Sequence, residues 1–104
     1  MDEIIAAIKT FAGNFAPQDY MFCNGAILQI NQYQALYSLL GNSFGGDGHT
    51  NFALPDLRPD IVEYTIEGET PNQKIVQKIT GKRNWKADEP KQIICVNGIY
   101  PMHP

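Results

Sequence analysis

Turn-forming residues divide this sequence so often that only short elements fit between them. Gly13 and Pro17, Asn24-Gly25, Gly41, the run Gly45-Gly46-Asp47-Gly48, Pro55, Pro59, the stretch Gly68 to Asn72 and Asn97-Gly98 each interrupt a regular pattern. Asn24-Gly25 separates two apolar runs, Tyr20-Met21-Phe22-Cys23 and Ala26-Ile27-Leu28-Gln29-Ile30. Both residues of the pair tolerate the positive φ of a type I′ turn, which predicts a β-hairpin here. A helix over about 32–40 is expected directly after it. Asn31 is placed to cap its N-terminus, with Gln34 three residues on as the capping-box partner. Tyr33, Leu36, Tyr37 and Leu40 recur at helical spacing and form the buried stripe, and Gly41 is placed to end the helix in the left-handed conformation.

The rest of the chain reads as strands and loops. The opening Ile4 to Phe11 fits a helix through positions 4, 5, 8 and 11, or a strand through 4, 6 and 8. Residues 42–59 form a loop from which Phe52 and Leu54 reach into the core on extended backbone. Val62, Tyr64 and Ile66 alternate with Glu63 and Thr65, and Ile75, Gln77 and Ile79 alternate likewise beyond the Gly68 to Asn72 turn. Gln92-Ile93-Ile94-Cys95-Val96 is an apolar strand. Together these predict an α+β fold: a small single domain over 1–104, with short antiparallel strands and one main amphipathic helix. A domain of this length buries a modest share of its surface, and self-association is one remedy. No apolar run is long enough for a membrane span, and Met1 to Phe11 lacks the features of a secretory signal. Cys23 and Cys95 each lie within an apolar run and are expected to be buried free thiols.

Charge is unevenly placed along the chain. Residues 1–73 carry Lys9 and Arg58 against nine carboxylates, whereas residues 74–91 carry six cations against Asp88 and Glu89. Such asymmetry marks a solvated surface, an anion-binding face, or complementary surfaces on successive subunits. Within the basic stretch, Lys82, Arg83, Trp85 and Lys86 are the candidate ligand-binding residues, suited to a small anion. The acidic balance of the whole chain, at −3, and the single interleaved aromatic speak against nucleic acid. The glycine run has no Gly-Lys-Ser/Thr ending, contains an acid and follows a helix, so it reads as a structural turn rather than a phosphate loop. The two Cys and two His lack the close pairing of a zinc site, leaving only His49 or His103 as ligands shared across a symmetry axis. Cys23 with His49 and Asp47 forms a triad on paper, but a thiol among aromatic neighbours is a poor nucleophile. No catalytic residue and no cofactor are expected.

Several ordered blocks resemble the phage tail-collar domain family. They are Phe11-Ala12-Gly13-Asn14-Phe15-Ala16-Pro17, Cys23-Asn24-Gly25 and Ala35-Leu36-Tyr37-Ser38-Leu39-Leu40-Gly41. Phe44-Gly45-Gly46-Asp47-Gly48 and Phe52-Ala53-Leu54-Pro55-Asp56-Leu57-Arg58 follow, and Ile93 to Pro101 is similar to the end of longer members. The resemblance makes Asn24, Gly25, Gly45, Gly46, Asp47, Gly48, Pro55, Asp56 and Arg58 a folding signature. It implies a domain of phage tail fibres and of bacterial proteins labelled microcystin-dependent, trimeric in short tail fibres and without established catalytic residues. Two departures are visible. Tyr20 stands where a Trp is often found, and Arg58 runs into Pro59-Asp60-Ile61 instead of a long glycine-rich insert, so residues 59–92 are a divergent replacement. The expectation is a non-enzymatic structural module of a phage tail or tail-like particle, a homo-oligomer with a trimer favoured, partnered by other tail proteins and located in the virion. The alternative is a repurposed stand-alone collar fold in the host cytoplasm that binds a small anion or a host protein.

Overall fold

A computed structural model describes residues 3–102. The apolar run near the end of the chain is its organising element. Strand β7 (Lys91–Cys95) lies between β1 (Ile8–Phe11) and β2 (Tyr20–Phe22), antiparallel to both, in the order β1-β7-β2. Ile93 and Ile94 project to opposite faces and both are fully buried, so both faces of this strand are covered. That is why the run does not alternate in polarity. The ambiguous opening segment resolves as strand, with Ile8 opposite Ile94 and a parallel bridge from Ile4 to Ile99.

A second sheet of two strands, β3 (Ile27–Gln29) and β4 (Asn51–Ala53), sets Leu28 opposite Phe52. Helix α1 (Gln34–Leu40) closes over it, with Leu36 fully buried and Tyr33, Tyr37 and Leu40 packed around the core. The rings of Tyr37 and Phe52 meet at 5.3 Å between centroids, and the Tyr37 hydroxyl donates to the Gly48 carbonyl at 3.1 Å. Leu54 and Phe52 are both fully buried, as their extended segment predicts.

Three local expectations are corrected. Asn24-Gly25 does not close a hairpin: β2 pairs with β7 and β3 with β4, so the two runs belong to different sheets. Gly25 does take a positive φ, +80°, but it turns the chain between sheets, and the Asn24 side-chain oxygen accepts the Ala26 N–H at 3.1 Å. The capping box is also absent. Asn31 lies inside a 3₁₀ turn (Ile30–Gln32), and α1 starts after Tyr33 with no side-chain cap. Gly41 ends the helix with φ +59° and ψ −152°, a positive φ outside the left-handed helical well.

Cys23 and Cys95 are free and fully buried. Lys91 is a buried cation, 6% exposed, at the start of β7. Its ammonium donates to the carbonyls of Glu89 (2.9 Å) and Ala87 (3.4 Å) and to the Asn14 side chain (3.3 Å), which ties the 84–90 loop to the body.

The remaining strands leave the body altogether. Strands β5 (Asp60–Glu67) and β6 (Lys74–Lys82) form an antiparallel hairpin that, among the described residues, pairs with no other strand. Gly68, at φ +92°, starts its turn, and the Asn72 N–H donates to Glu69 O across the end. The chain's longest dimension is therefore 59 Å and its radius of gyration 18.1 Å. A compact domain of this length would have a radius near 13 Å. Among the described residues no helix is long and apolar enough to cross a membrane.

Because β7 holds β1 and β2 together, a chain ending at Pro90 is expected to show no cooperative thermal transition by circular dichroism. In the full chain, Ile94→Ala should lower stability by about 2–5 kcal/mol in urea titration. A cooperative melt from the shortened chain would contradict this role for β7.

Candidate functional site

Five of the signature residues, Asn24, Gly25, Pro55, Asp56 and Arg58, meet where the hairpin joins the body. Residues 23–25 and 55–57 lie antiparallel: Gly25 N–H donates to Pro55 O at 3.2 Å, Leu57 N–H donates to Cys23 O at 2.8 Å, and Asn24 bridges Asp56. A Cβ at Gly25 would meet the Asp56 side chain only at ordinary contact distance, 3.4 Å, so it is the positive φ, +80°, that favours glycine here. Asp56 in turn receives Arg58 in a two-point contact, Nε to Oδ1 at 2.9 Å and an Nη to Oδ2 at 2.8 Å. Hydrogen bonds from Arg58 hold the Asp56 carboxyl below its usual range. The other Arg58 Nη reaches the Asn84 side chain at 2.9 Å, in the loop just past the end of β6. Lys82 donates to Arg58 O at 3.2 Å and pairs with Asp60 at 2.8 Å, while Arg83 N–H donates to Pro59 O at 3.0 Å. The clasp thus grips both legs of the hairpin at its root.

The glycine run is a second self-contained unit. The Asp47 carboxylate accepts the N–H groups of His49, Thr50 and Asn51 at 2.8–3.0 Å and the Thr50 hydroxyl at 2.9 Å. These donors push its pKa far below the ordinary carboxyl value. The anion held in this nest is the chain's own, which leaves no cradle for a phosphate. Gly46, at φ +88°, passes so close to β4 that a Cβ would sit 2.5 Å from the Phe52 Cα.

The basic candidates come together only in part. Arg83 makes a two-point contact with Glu89, at 2.7 and 2.9 Å, and the Lys86 backbone N–H donates to the same carboxylate at 2.7 Å. Trp85 packs on Phe22, with 6.1 Å between ring centroids, and so anchors the loop to β2. Lys82 is paired with Asp60 as described, and the Lys86 side chain lies on the exposed surface. The sequence reading missed Glu89 as the partner. Its position six residues after Arg83 carries no regular spacing, so only the loop's folding reveals it.

Groups considered for chemistry are dispersed. Cys23 is fully buried, and burial pushes its thiol up to about 11, away from a nucleophilic thiolate. His49 is exposed on the glycine loop, and Asp47 is bound to backbone. His103 lies outside the described residues. A cavity of about 390 Å³ is lined by Glu3, Lys9, Asp19, Tyr20 and Asn97, among others. Lys9 Nζ lies 4.5 Å above the Tyr20 ring there, in a cation–π contact.

The Arg83–Glu89 contact has a pH signature. Arg83 and the Lys86 N–H lower the Glu89 carboxyl from 4.5 to about 2. A carboxyl depressed by folding stabilises fully above its unfolded value, and that stabilisation disappears as pH falls through the folded one. The midpoint of thermal unfolding should therefore fall between pH 5 and pH 2 more steeply in the native chain than in Glu89→Gln. The two curves should converge near pH 2. Parallel curves over that range would contradict the contact.

Comparison with known proteins agrees with this geometry. No curated protein and no solved structure matches the chain. The Phage Tail Collar Domain family matches residues 6–62, more than half of the chain. The matched part contains β1 to β4, α1, the glycine loop and the Asp56–Arg58 clasp. The chain therefore belongs to the phage tail collar domain family.

Proposed function

We propose that this chain is a non-enzymatic assembly module of a phage tail or tail-like particle, working as a homo-oligomer, most simply a trimer. One collar domain over residues 1–104, with 59–92 in place of the family's insert, is part of that reading. The observation that carries it is where the signature residues direct their bonds. Asn24, Asp47, Asp56 and Arg58 bond to the chain itself, holding turns and the hairpin root, as scaffold residues do. The family supplies the setting, because the collar domain is a structural domain of phage tails. Association with other tail proteins and a place in the virion follow from that reading.

The alternative, a free collar fold that captures a small anion or a host protein, has less support. Two of its three cations, Lys82 and Arg83, already face Asp60 and Glu89, so an anion would have to displace a carboxylate. What favours it is the exposed Lys86 beside a segment that the family match does not include.

Light scattering of the purified chain should give a mass three times that of the monomer, and mass spectrometry of purified particles should detect it. A monomer in solution that is also missing from particles would overturn the assembly reading. A thermal-shift series with nucleotides should show no change. A nucleotide present at 100 times its dissociation constant would add about 2.7 kcal/mol of stability and would favour the alternative.

A further inference from the structure

A two-stranded hairpin is marginal alone in water, yet β5 and β6 extend beyond the body with an apolar face uncovered. The register places Val62 opposite Ile79, Tyr64 opposite Gln77 and Ile66 opposite Ile75, so these six side chains share one face. Tyr64, Ile66, Ile75 and Ile79 are each at least 60% exposed. The other face sets Glu63 opposite Lys78 and Glu67 opposite Lys74. Every charged residue of β5 is acidic (Asp60, Glu63, Glu67) and every one of β6 is basic (Lys74, Lys78, Lys82). The hairpin therefore has an acidic edge and a basic edge, and each edge also carries unpaired backbone groups.

We infer that this hairpin is the assembly element, and that its occupant is the same hairpin in further copies of the chain, joined β6 to β5 around a cyclic axis. The inference rests on the homo-oligomer reading and says which surface produces it. Charge selects the mode of pairing. A two-fold edge contact places β6 beside β6 or β5 beside β5, which opposes Lys to Lys or Glu to Glu. A head-to-tail contact places the acidic strand of one copy beside the basic strand of the next. Because β5 and β6 are antiparallel, strand directions still alternate around such a ring.

Closure also settles the bare face. Three copies supply six strands, and a sheet of twisted strands curled into a barrel can turn Val62, Tyr64, Ile66, Ile75 and Ile79 inward. The irregularity between Ile61 and Val62 adds bend at the hairpin root. Gln77, the polar member of the face, stands opposite Tyr64, whose hydroxyl can receive its amide N–H. Two hairpins packed face to face would cover the apolar side chains but leave all their edges open. The closed ring satisfies both.

Cross-linking distinguishes these arrangements. Thr65 and Val76 oppose each other on the charged face, midway along the hairpin. Thr65→Cys and Val76→Cys chains, carrying different tags and co-expressed, should form the mixed disulfide dimer on brief oxidation, and neither should dimerise strongly alone. Glu63→Cys in place of Thr65→Cys covers a two-residue stagger between neighbours. Cys23 and Cys95 are buried and do not compete. As a second measure, Ile66→Glu with Ile75→Glu should reduce the solution mass threefold and leave the melting of the body unchanged. Cross-links within a single variant would mean two-fold pairing and would overturn the inference. So would a native-mass oligomer that survives the double Glu substitution, in which case the assembly reading stands and the interface lies elsewhere. A monomeric native chain would overturn both.

Discussion

The insertion of β7 between β1 and β2 is the contact on which the rest of the fold depends. It joins the far end of the described chain to its beginning, and it brings Ile94 and Val96 into the same core as Ile5, Cys23, Leu36 and Phe52. Without it, β1 and β2 share no ladder, since neither pairs with the other. The family match ends at residue 62, before β7 begins. The recognisable half of the domain is thus completed by a strand outside the matched segment. Everything between residues 59 and 90 is an excursion that must leave the body and return to the same place. The Arg58 guanidinium, bonded to Asp56 on one side and Asn84 on the other, fixes both ends of that excursion.

This arrangement explains which parts of the fold were legible beforehand. Short-range patterns translated well: the stripe from Leu36 to Leu40 lies on a helix, with Leu36 fully buried and Tyr33 just before its start, and the alternation at 62–66 and 75–79 is a hairpin. The Asn24-Gly25 reading failed for a physical reason. Turn chemistry reports backbone conformation, and Gly25 does adopt a positive φ, but strand partners are chosen by burial. Ile93 and Ile94 offered β2 a fully buried neighbour that Ala26 to Ile30 could not match. Asn31 likewise has cap chemistry, yet the Ile30 N–H bonds to Thr50 O and the chain enters a 3₁₀ turn first. Local preference yielded to tertiary contact in both places.

The candidate site was legible as charge and illegible as pairing. Lys82, Arg83 and Lys86 stand out as a cationic cluster, but two of them, Lys82 and Arg83, are met by carboxylates that the local sequence does not point to. Asp60 lies across a strand ladder from Lys82, and Glu89 faces Arg83 only because the 84–90 loop folds back. A similar inversion holds at the glycine run. Its N–H groups converge as they would on a bound anion, and the anion is Asp47. In both places polar groups that composition alone would offer to a ligand are satisfied within the chain.

Satisfaction inside the chain is what makes the hairpin stand out. The clasp, the glycine loop and Lys91 all end on partners within the chain, whereas the apolar face of β5 and β6 ends on solvent. Alternation of polarity along a strand normally records one buried face and one wet face. Here the alternation is present, yet Tyr64, Ile66, Ile75 and Ile79 on the apolar face are exposed. The charge pattern on the opposite face carries the complementary information. Acids confined to one strand and bases to the other do not require a neighbour for the hairpin's own stability, since an alternating arrangement would pair across the ladder equally well. What segregation adds is direction, because it distinguishes one edge of the hairpin from the other.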